Sequence, residues 1–352
     1  MGAARWKLRQ TTSANPSNRD EEMPMTIDRR TVLAGLAGTV ALPAIRTASA
    51  QSAWPTRPVR MIVPFPPGGS TDVLARVIAE NLSKELGQTV VIENRPGSAG
   101  NVGVNAVAKA EPDGYTIGVS TIGPLSAHIE LYRSLPFNPL TDFTYIADIY
   151  EIPNILVVNP QTPVSNVQEF IAWVKAKGEG KASYGTPGLG TTAHLSTEFL
   201  SRKVGMQPLH VPYRTGAVAV QDLIAGRIDF MFDNLPTIIG QIQGKTIKPI
   251  AVSTAKRWPG LPDLPTMIES GVPDFDVTSW SGMIAPKGLP ADITKKLVDA
   301  HIKIGQDPAF VKRFQELGAL ATMKGPDVLQ ARMATEIPRW AAVVRAAGAK
   351  VE

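Results

Sequence analysis

From Trp54 onward, short runs of β-branched and apolar residues alternate with longer stretches whose apolar positions recur every three or four residues. The runs at 59–63, 90–93 and 116–120 read as strands, and the stretches at 71–86 and 101–109 as helices. Gly87 stands just past the first helix, where a left-handed cap is expected. A second series follows, with strands at 182–185, 209–211 and 228–232 and helices at 193–204 and 217–225. Apolar strands separated by helices predict mainly parallel sheets covered on both faces. The tail predicts helices at 292–306, 308–317 and 326–347, with Pro338 expected to kink or break the last. Apolar runs at 155–159 and 277–285 are candidate crossings between the two series. The expected fold class is therefore α/β with two hinged lobes, 51–155 plus 281–352 and 156–280. Ligands of such open sheets bind outside the carboxyl ends of the strands.

Two loops stand at those ends, about 120 residues apart. Phe65-Pro66-Pro67-Gly68-Gly69-Ser70-Thr71-Asp72 joins a strand to a helix, and so does Thr186-Pro187-Gly188-Leu189-Gly190-Thr191-Thr192-Ala193-His194. Glycines let the backbone approach a ligand closely, hydroxyl residues cap a helix, and exposed first-turn amides attract an anion. Two matched helix starts suggest opposing jaws for one anionic ligand. The spacing supports the parallel: Gly69 to Arg95 is 26 residues and Gly190 to Arg214 is 24. The second loop also fits a G-x-G-x-x-A dinucleotide fingerprint, but its next strand ends without the acidic residue that would hold a ribose. Thr121 and Ser126 follow one strand at the ligand end, and Asp233-Asn234 follow another. A carboxylate at Asp233 could take a ligand ammonium or hydroxyl, or cap the next helix. His194 could touch the ligand or simply pack.

The 352 residues carry a net charge of +5, yet 1–50 alone hold seven Lys/Arg against four Asp/Glu. The remainder is nearly neutral and has no basic run, which removes a nucleic-acid reading. Zero cysteines exclude disulfides and thiolate chemistry, and the four histidines are too scattered for a His-rich metal site. Arg29-Arg30 precede a short apolar stretch that ends near Ala48-Ser49-Ala50, the pattern of a cleaved signal peptide in 1–50, with the twin-arginine route favoured. Translation could begin at Met1, Met23 or Met25. The mature chain is expected in the periplasm. No G-x-S-x-G nucleophile elbow is present. A secreted hydrolase of small esters or amides, with its triad assembled only in three dimensions, is the alternative reading.

Many ordered motifs carry a resemblance that spans 54–352: the first loop itself, Glu93-Asn94-Arg95-Pro96-Gly97, Pro112-Asp113-Gly114-Tyr115, Val211-Pro212-Tyr213-Arg214, Ala225-Gly226-Arg227-Ile228-Asp229, Leu261-Pro262-Asp263-Leu264-Pro265 and Trp280-Ser281-Gly282. The chain resembles the extracytoplasmic solute receptors of tripartite tricarboxylate transporters, also called the Bug family. The resemblance implies a monomeric, type II-like Venus-flytrap protein that captures a small carboxylate, with no cofactor, no metal and no catalysis. It also implies delivery to membrane subunits of a transporter, or to a sensor. The ligand carboxylate would be held by loop amides, hydroxyls and ordered water at 65–72 and 186–194. One departure is Thr215 after Arg214, where many members have glycine, which leaves open how near that loop comes to the ligand.

Overall fold

The structure is a computed structural model that describes residues 54–347. The expected signal peptide, its twin arginines and the alternative starts lie outside the described residues. Strand β1 (Val59–Val63) is buried except at Arg60, whose guanidinium pairs with Glu93 at 3.3 Å. Helix α1 (Ser70–Leu86) buries Leu74, Ile78, Leu82 and Leu86, one stripe at successive i+4 positions. Burial of each such side chain stabilises the fold by about 1.5–3 kcal/mol. Gly87 ends α1 in the left-handed region with φ 68°, and its N–H donates to the Ser83 carbonyl. Then come β2 (Val90–Asn94), α2 (Asn101–Ala108), β3 (Thr116–Thr121) and the short α3 (His128–Leu131).

Strand β4 (Phe143–Val158) opens the second series, followed by α4 (Val167–Lys177), β5 (Ser183–Thr186), α5 (Thr192–Val204), β6 (Leu209–Pro212) and α6 (Gly216–Ile224). Strand β7 (Phe230–Asn234), α7 (Leu235–Gln243) and β8 (Lys248–Val252) complete it. Strand β9 (Thr278–Pro286) leads back, and α8 (Ala291–Gly305), α9 (Pro308–Glu316), β10 (Leu320–Lys324) and α10 (Pro326–Ala347) form the tail.

The strands run in the order β2-β1-β3-β9-β4-β7-β5-β6, with β8 and β10 also paired to β4. Each lobe has a parallel trio, β2-β1-β3 and β7-β5-β6, extended by antiparallel strands. Together these make a two-lobe α/β architecture of the periplasmic-binding-protein kind. The long strand β4 joins the lobes: Phe143–Pro153 pair with β9, and Asn154–Val158 pair with β7 and β8. Among the described residues no helix is long and apolar enough to cross a membrane.

Three expectations need correction. The first crossing is a 16-residue strand, not the short run at 155–159. Asp148, Glu151 and Asn154 interrupt its apolar pattern, but Arg332 of α10 holds the first two, so the strand continues through them. Pro338 does not break the last helix, which runs on to Ala347. Met333, Trp340 and Val344 are buried on both sides of the proline, and the Trp340 indole donates to Glu336 across it at 2.6 Å. Helices α4 and α7 and strands β8 and β10 were not anticipated. Strand β7 also extends to Asn234, two residues beyond the expected end, so Asp233 is part of the sheet.

Candidate functional site

The carboxyl ends of β1, β3, β5 and β7 meet at one cleft with about 760 Å³ of empty space, measured out to its open mouth. Helix α1 starts there behind Gly69, an extended N-cap residue that makes no side-chain cap bond. Helix α5 starts there behind Thr191, also extended and also without a cap bond. A helix's first amides have no carbonyl partner within the helix, so those of Ser70, Thr71, Thr192 and Ala193 point outward at its positive end. Helices α4 and α9 differ: Asn166 and Asp307 accept from the amides of Glu169 and Ala309. The cleft therefore offers two helix starts whose donors are still free.

Ten of the sequence-predicted residues line this cleft. Phe65, Pro66, Gly69, Ser70 and Thr71 come from the first loop, and Gly190, Thr191 and Thr192 from the second. Thr121 and Asp233 enter from β3 and β7. Gly68, Asp72, Ser126, Thr186, Gly188 and His194 do not line it, and take part in bracing instead. Asp72 is buried and accepts from the Gly68 amide at 2.9 Å, from Asn94 at 2.8 Å and from Arg76 at 2.9 Å. The Arg76, Gly68 and Asn94 donors hold its carboxyl below the usual range, although burial opposes them as the largest single influence. Gly68 is thus occupied by Asp72 and turned away from a ligand. Thr186 is buried, its hydroxyl 2.6 Å from His210 Nε2 and within reach of the Gly188 amide at 3.2 Å. His194 Nδ1 accepts from the Gly190 amide at 3.3 Å, and burial pushes its pKa down to about 4. Ser126 is likewise buried and bonded to the Ile122 carbonyl at 2.5 Å.

Several lining residues escaped the sequence reading. Arg214, Thr215 and Gly216 reach the cleft, which answers how near that loop comes. Tyr150 and Ile152 come from the unanticipated part of β4, and Ser279, Trp280 and Ser281 from β9. The Trp280-Ser281-Gly282 motif was the available signal for the last group. Trp280 Nε1 is buried and has no hydrogen-bond partner among the described residues. Thr192 Oγ1 lies 2.5 Å from Ser279 Oγ and donates to Asn154 Oδ1 at 3.3 Å, which ties α5 to both crossing strands.

Asp233 is 2% exposed and burial lifts its pKa to about 7, the Asn234 amide offsetting this only in part. Its Oδ1 accepts that amide at 2.8 Å, while Oδ2 is buried without a hydrogen-bond partner among the described residues. Arg214 is exposed, and no ion-pair partner is found for it among the described residues.

The lobes touch across the cleft. Asn234 Nδ2 donates to Ser70 Oγ at 3.1 Å, and His128 Nε2 lies 3.3 Å from the Gly190 carbonyl. These two contacts bridge the lobes beside the cleft. All four histidines are held neutral by burial, with pKa values of about 3 for His128 and about 4 for His194, His210 and His301. None of them lines the cleft.

The family model described as "Tripartite tricarboxylate transporter family receptor" matches residues 74–349. Protein BugT of Bordetella pertussis (strain Tohama I) is 38% identical over 301 residues, which is 85% of this chain and 92% of that protein. Among solved structures, R. palustris Rpa4515 with adipate is 38% identical with a TM-score of 0.82, covering 85% of this chain and 100% of that one. The periplasmic binding protein BugD is 38% identical with a TM-score of 0.80 at the same coverage. MatC from Rhodopseudomonas palustris with bound malate is 33% identical with a TM-score of 0.78, covering 83% of this chain and 100% of that one.

Proposed function

Since the chain belongs to the tripartite tricarboxylate transporter family of receptors, we propose that it is a periplasmic solute receptor that closes on a small organic carboxylate. The observation that carries this reading is the pair of uncapped helix starts, α1 and α5, facing one cleft. A carboxylate there accepts from the amides of Ser70 and Thr71 on one side and Thr192 and Ala193 on the other, directly or through water. The hydroxyls of Ser70, Thr71, Thr121, Thr191 and Thr192 add donors. Phe65, Pro66, Gly69 and Gly190 shape the walls. The adipate- and malate-bound relatives support a short, carboxylate-bearing ligand.

The lobes divide near residues 155 and 281, and the two crossing strands act as the hinge. Closure follows when the ligand touches both lobes, because a ligand shifts a conformational equilibrium by its differential affinity. The chain catalyses nothing in this reading: its histidines are spent on bracing, which takes the base away from a hydrolase. Residues 1–50 act as an export signal, read by the twin-arginine route. The closed, monomeric receptor delivers to transporter membrane subunits or to a sensor.

A thermal-shift screen of the mature chain against mono- and dicarboxylates tests this. A ligand at about 100 times its Kd adds about 2.7 kcal/mol, or roughly 5–10 °C in a chain of this size. A flat response to every carboxylate refutes the reading, and mass spectrometry that finds a bound compound chemically altered refutes the absence of catalysis.

A further inference from the structure

The ring of His128 sits at the seam between the lobes and is fully buried. Its Nε2 lies 3.3 Å from the Gly190 carbonyl of the other lobe, and its Nδ1 lies 2.7 Å from the side-chain amide of Asn101 at the start of α2. Glycines clear the space it fills: a Cβ at Gly123 would lie 2.7 Å from Nε2, and one at Gly190 would lie 2.6 Å from it. Both glycines line the cleft, so the ring stands directly behind its wall. Gly190 is the part of this enclosure that the other lobe supplies. Separation of the lobes therefore opens Nε2 to water, while Asn101, in the same lobe as His128, stays beside Nδ1.

Among the described residues no carboxylate pairs with this ring. The stretch Gly123–Ala127 before it carries no ionisable side chain. On α10, Arg345 pairs with Glu130 of α3 at 3.0 Å, and Arg339 pairs with Glu336 at 3.1 Å. Tyr132 packs against the ring with centres 4.9 Å apart. His194, behind the Gly190 peptide, accepts the Gly190 amide and is itself neutral. A neutral His128 spends its one N–H on the Gly190 carbonyl. Asn101 can serve either state, its nitrogen donating to a neutral Nδ1 and its oxygen accepting from a charged one.

Resting on the carboxylate-receptor reading above, we propose that His128 is a closure latch that engages Gly190 only as the neutral ring, so that ligand capture expels a proton and acid holds the lobes apart. With the lobes apart the ring titrates near its ordinary value of about 6.5. In the bridged form burial brings that down to about 3, and only the Gly190 carbonyl opposes it. Between those values the open form holds the proton and the bridged form does not. Ligand affinity therefore falls as the pH drops below about 6.5. His128 does not line the cleft, so it acts as a positioning residue.

Calorimetry with the most tightly bound of the screened mono- and dicarboxylates, malate and adipate among them, tests the latch. The variant His128→Gln keeps a side-chain N–H for Gly190 but cannot titrate, so at pH 7.5 it should bind within about threefold of wild type. At pH 5.0 it should bind about 30-fold more tightly than wild type, a gain that a merely structural residue would not give. The ligand's own carboxyls titrate alike against both proteins and cancel in that ratio. At pH 6.0, in buffers of differing ionisation heat, wild type should release about 0.7 proton per ligand beyond the ligand's own contribution, and His128→Gln none. A ratio below about fivefold at pH 5.0, or no such release by wild type, overturns the proposal and leaves the carboxylate reading standing. Should the variant not fold, proton release by wild type alone decides. If no carboxylate binds wild type at any of these pH values, both fail.

Discussion

Gly68 and Gly190 occupy the same point in the two jaws. Both have positive φ, 81° and 79°, and each gives its amide to the side chain four residues on, Asp72 in one case and His194 in the other. The outlines match, but the chemistry beneath them does not. The first jaw is braced by a buried carboxylate tied to Arg76 and Asn94. The second is braced by a neutral imidazole whose ring lies 4.7 Å from that of His210. Their surroundings differ too. A Cβ on Gly68 would meet nothing within 4 Å, whereas one on Gly190 would lie 2.6 Å from His128 Nε2 and 2.7 Å from Leu131 of the other lobe. The first turn is therefore a local device, and the second is also a contact surface for closure.

The sharpest way to break this comparison is to put alanine at each glycine. Both substitutions carry the backbone strain of positive φ, about 1–2 kcal/mol. Only Gly190→Ala also collides across the cleft, so its carboxylate affinity should drop by about 100-fold, equivalent to roughly 2.8 kcal/mol. Gly68→Ala should stay within a few-fold of wild type. Titration followed by Trp280 fluorescence measures both, and equal affinities in the two variants would sink the distinction. Next in size is removal of the braces. Asp72→Ala orphans the Gly68 amide and takes one of two acceptors from Asn94 Nδ2, which keeps the Phe65 carbonyl, and should cost about 1–3 kcal/mol of unfolding free energy in urea, Arg76 being half exposed and able to turn to water. A loss under ~0.5 kcal/mol would show that Asp72 braces nothing.

Acid separates the jaws by pH window. His194 is neutral in the fold with a pKa of about 4, against about 6.5 when unfolded. Its contribution is present above pH 6.5 and is lost as the pH falls toward 4, about 3 kcal/mol in all by linkage. The Asp72 pKa is lowered, so its contribution persists through that window and fades only below its unfolded value near 4. Because His128, His210 and His301 are held neutral in the same way, the fall in stability between pH 7, 5.5 and 4.5 should shrink by about a quarter in His194→Gln and keep its wild-type size in Asp72→Asn. The same slope in both variants would contradict the assignment. The smallest effect belongs to Ser70→Ala, which removes the Asn234 contact between lobes and should weaken binding by about 0.5–1.5 kcal/mol.

Much of this was legible before any coordinates. The strand and helix of each jaw follow from apolar periodicity, and Gly87 marked its helix end through a requirement of backbone conformation alone. The jaws were visible because glycine and hydroxyl residues cluster where capping alone does not need them. Strand β4 was hidden because the partner that satisfies Asp148 and Glu151, Arg332, is some 180 residues away. Which loop residues would face a ligand was hidden for the same kind of reason. Asp72, Thr186 and His194 have the right chemistry to bind, but tertiary neighbours had already claimed it. The spacing Gly68-x-x-x-Asp72 and Gly190-x-x-x-His194 did carry that information, as a loop glycine four residues before an acceptor in the first turn of the following helix.

The central claim, that both helix starts grip one carboxylate, is tested most directly by a crystal structure with the tightest-binding compound of the carboxylate screen. The account predicts a carboxylate between the first turns of α1 and α5, its oxygens about 3 Å from the amides of Ser70, Thr71, Thr192 or Ala193 or joined to them by one water. A carboxylate that lies away from both helix starts would contradict it.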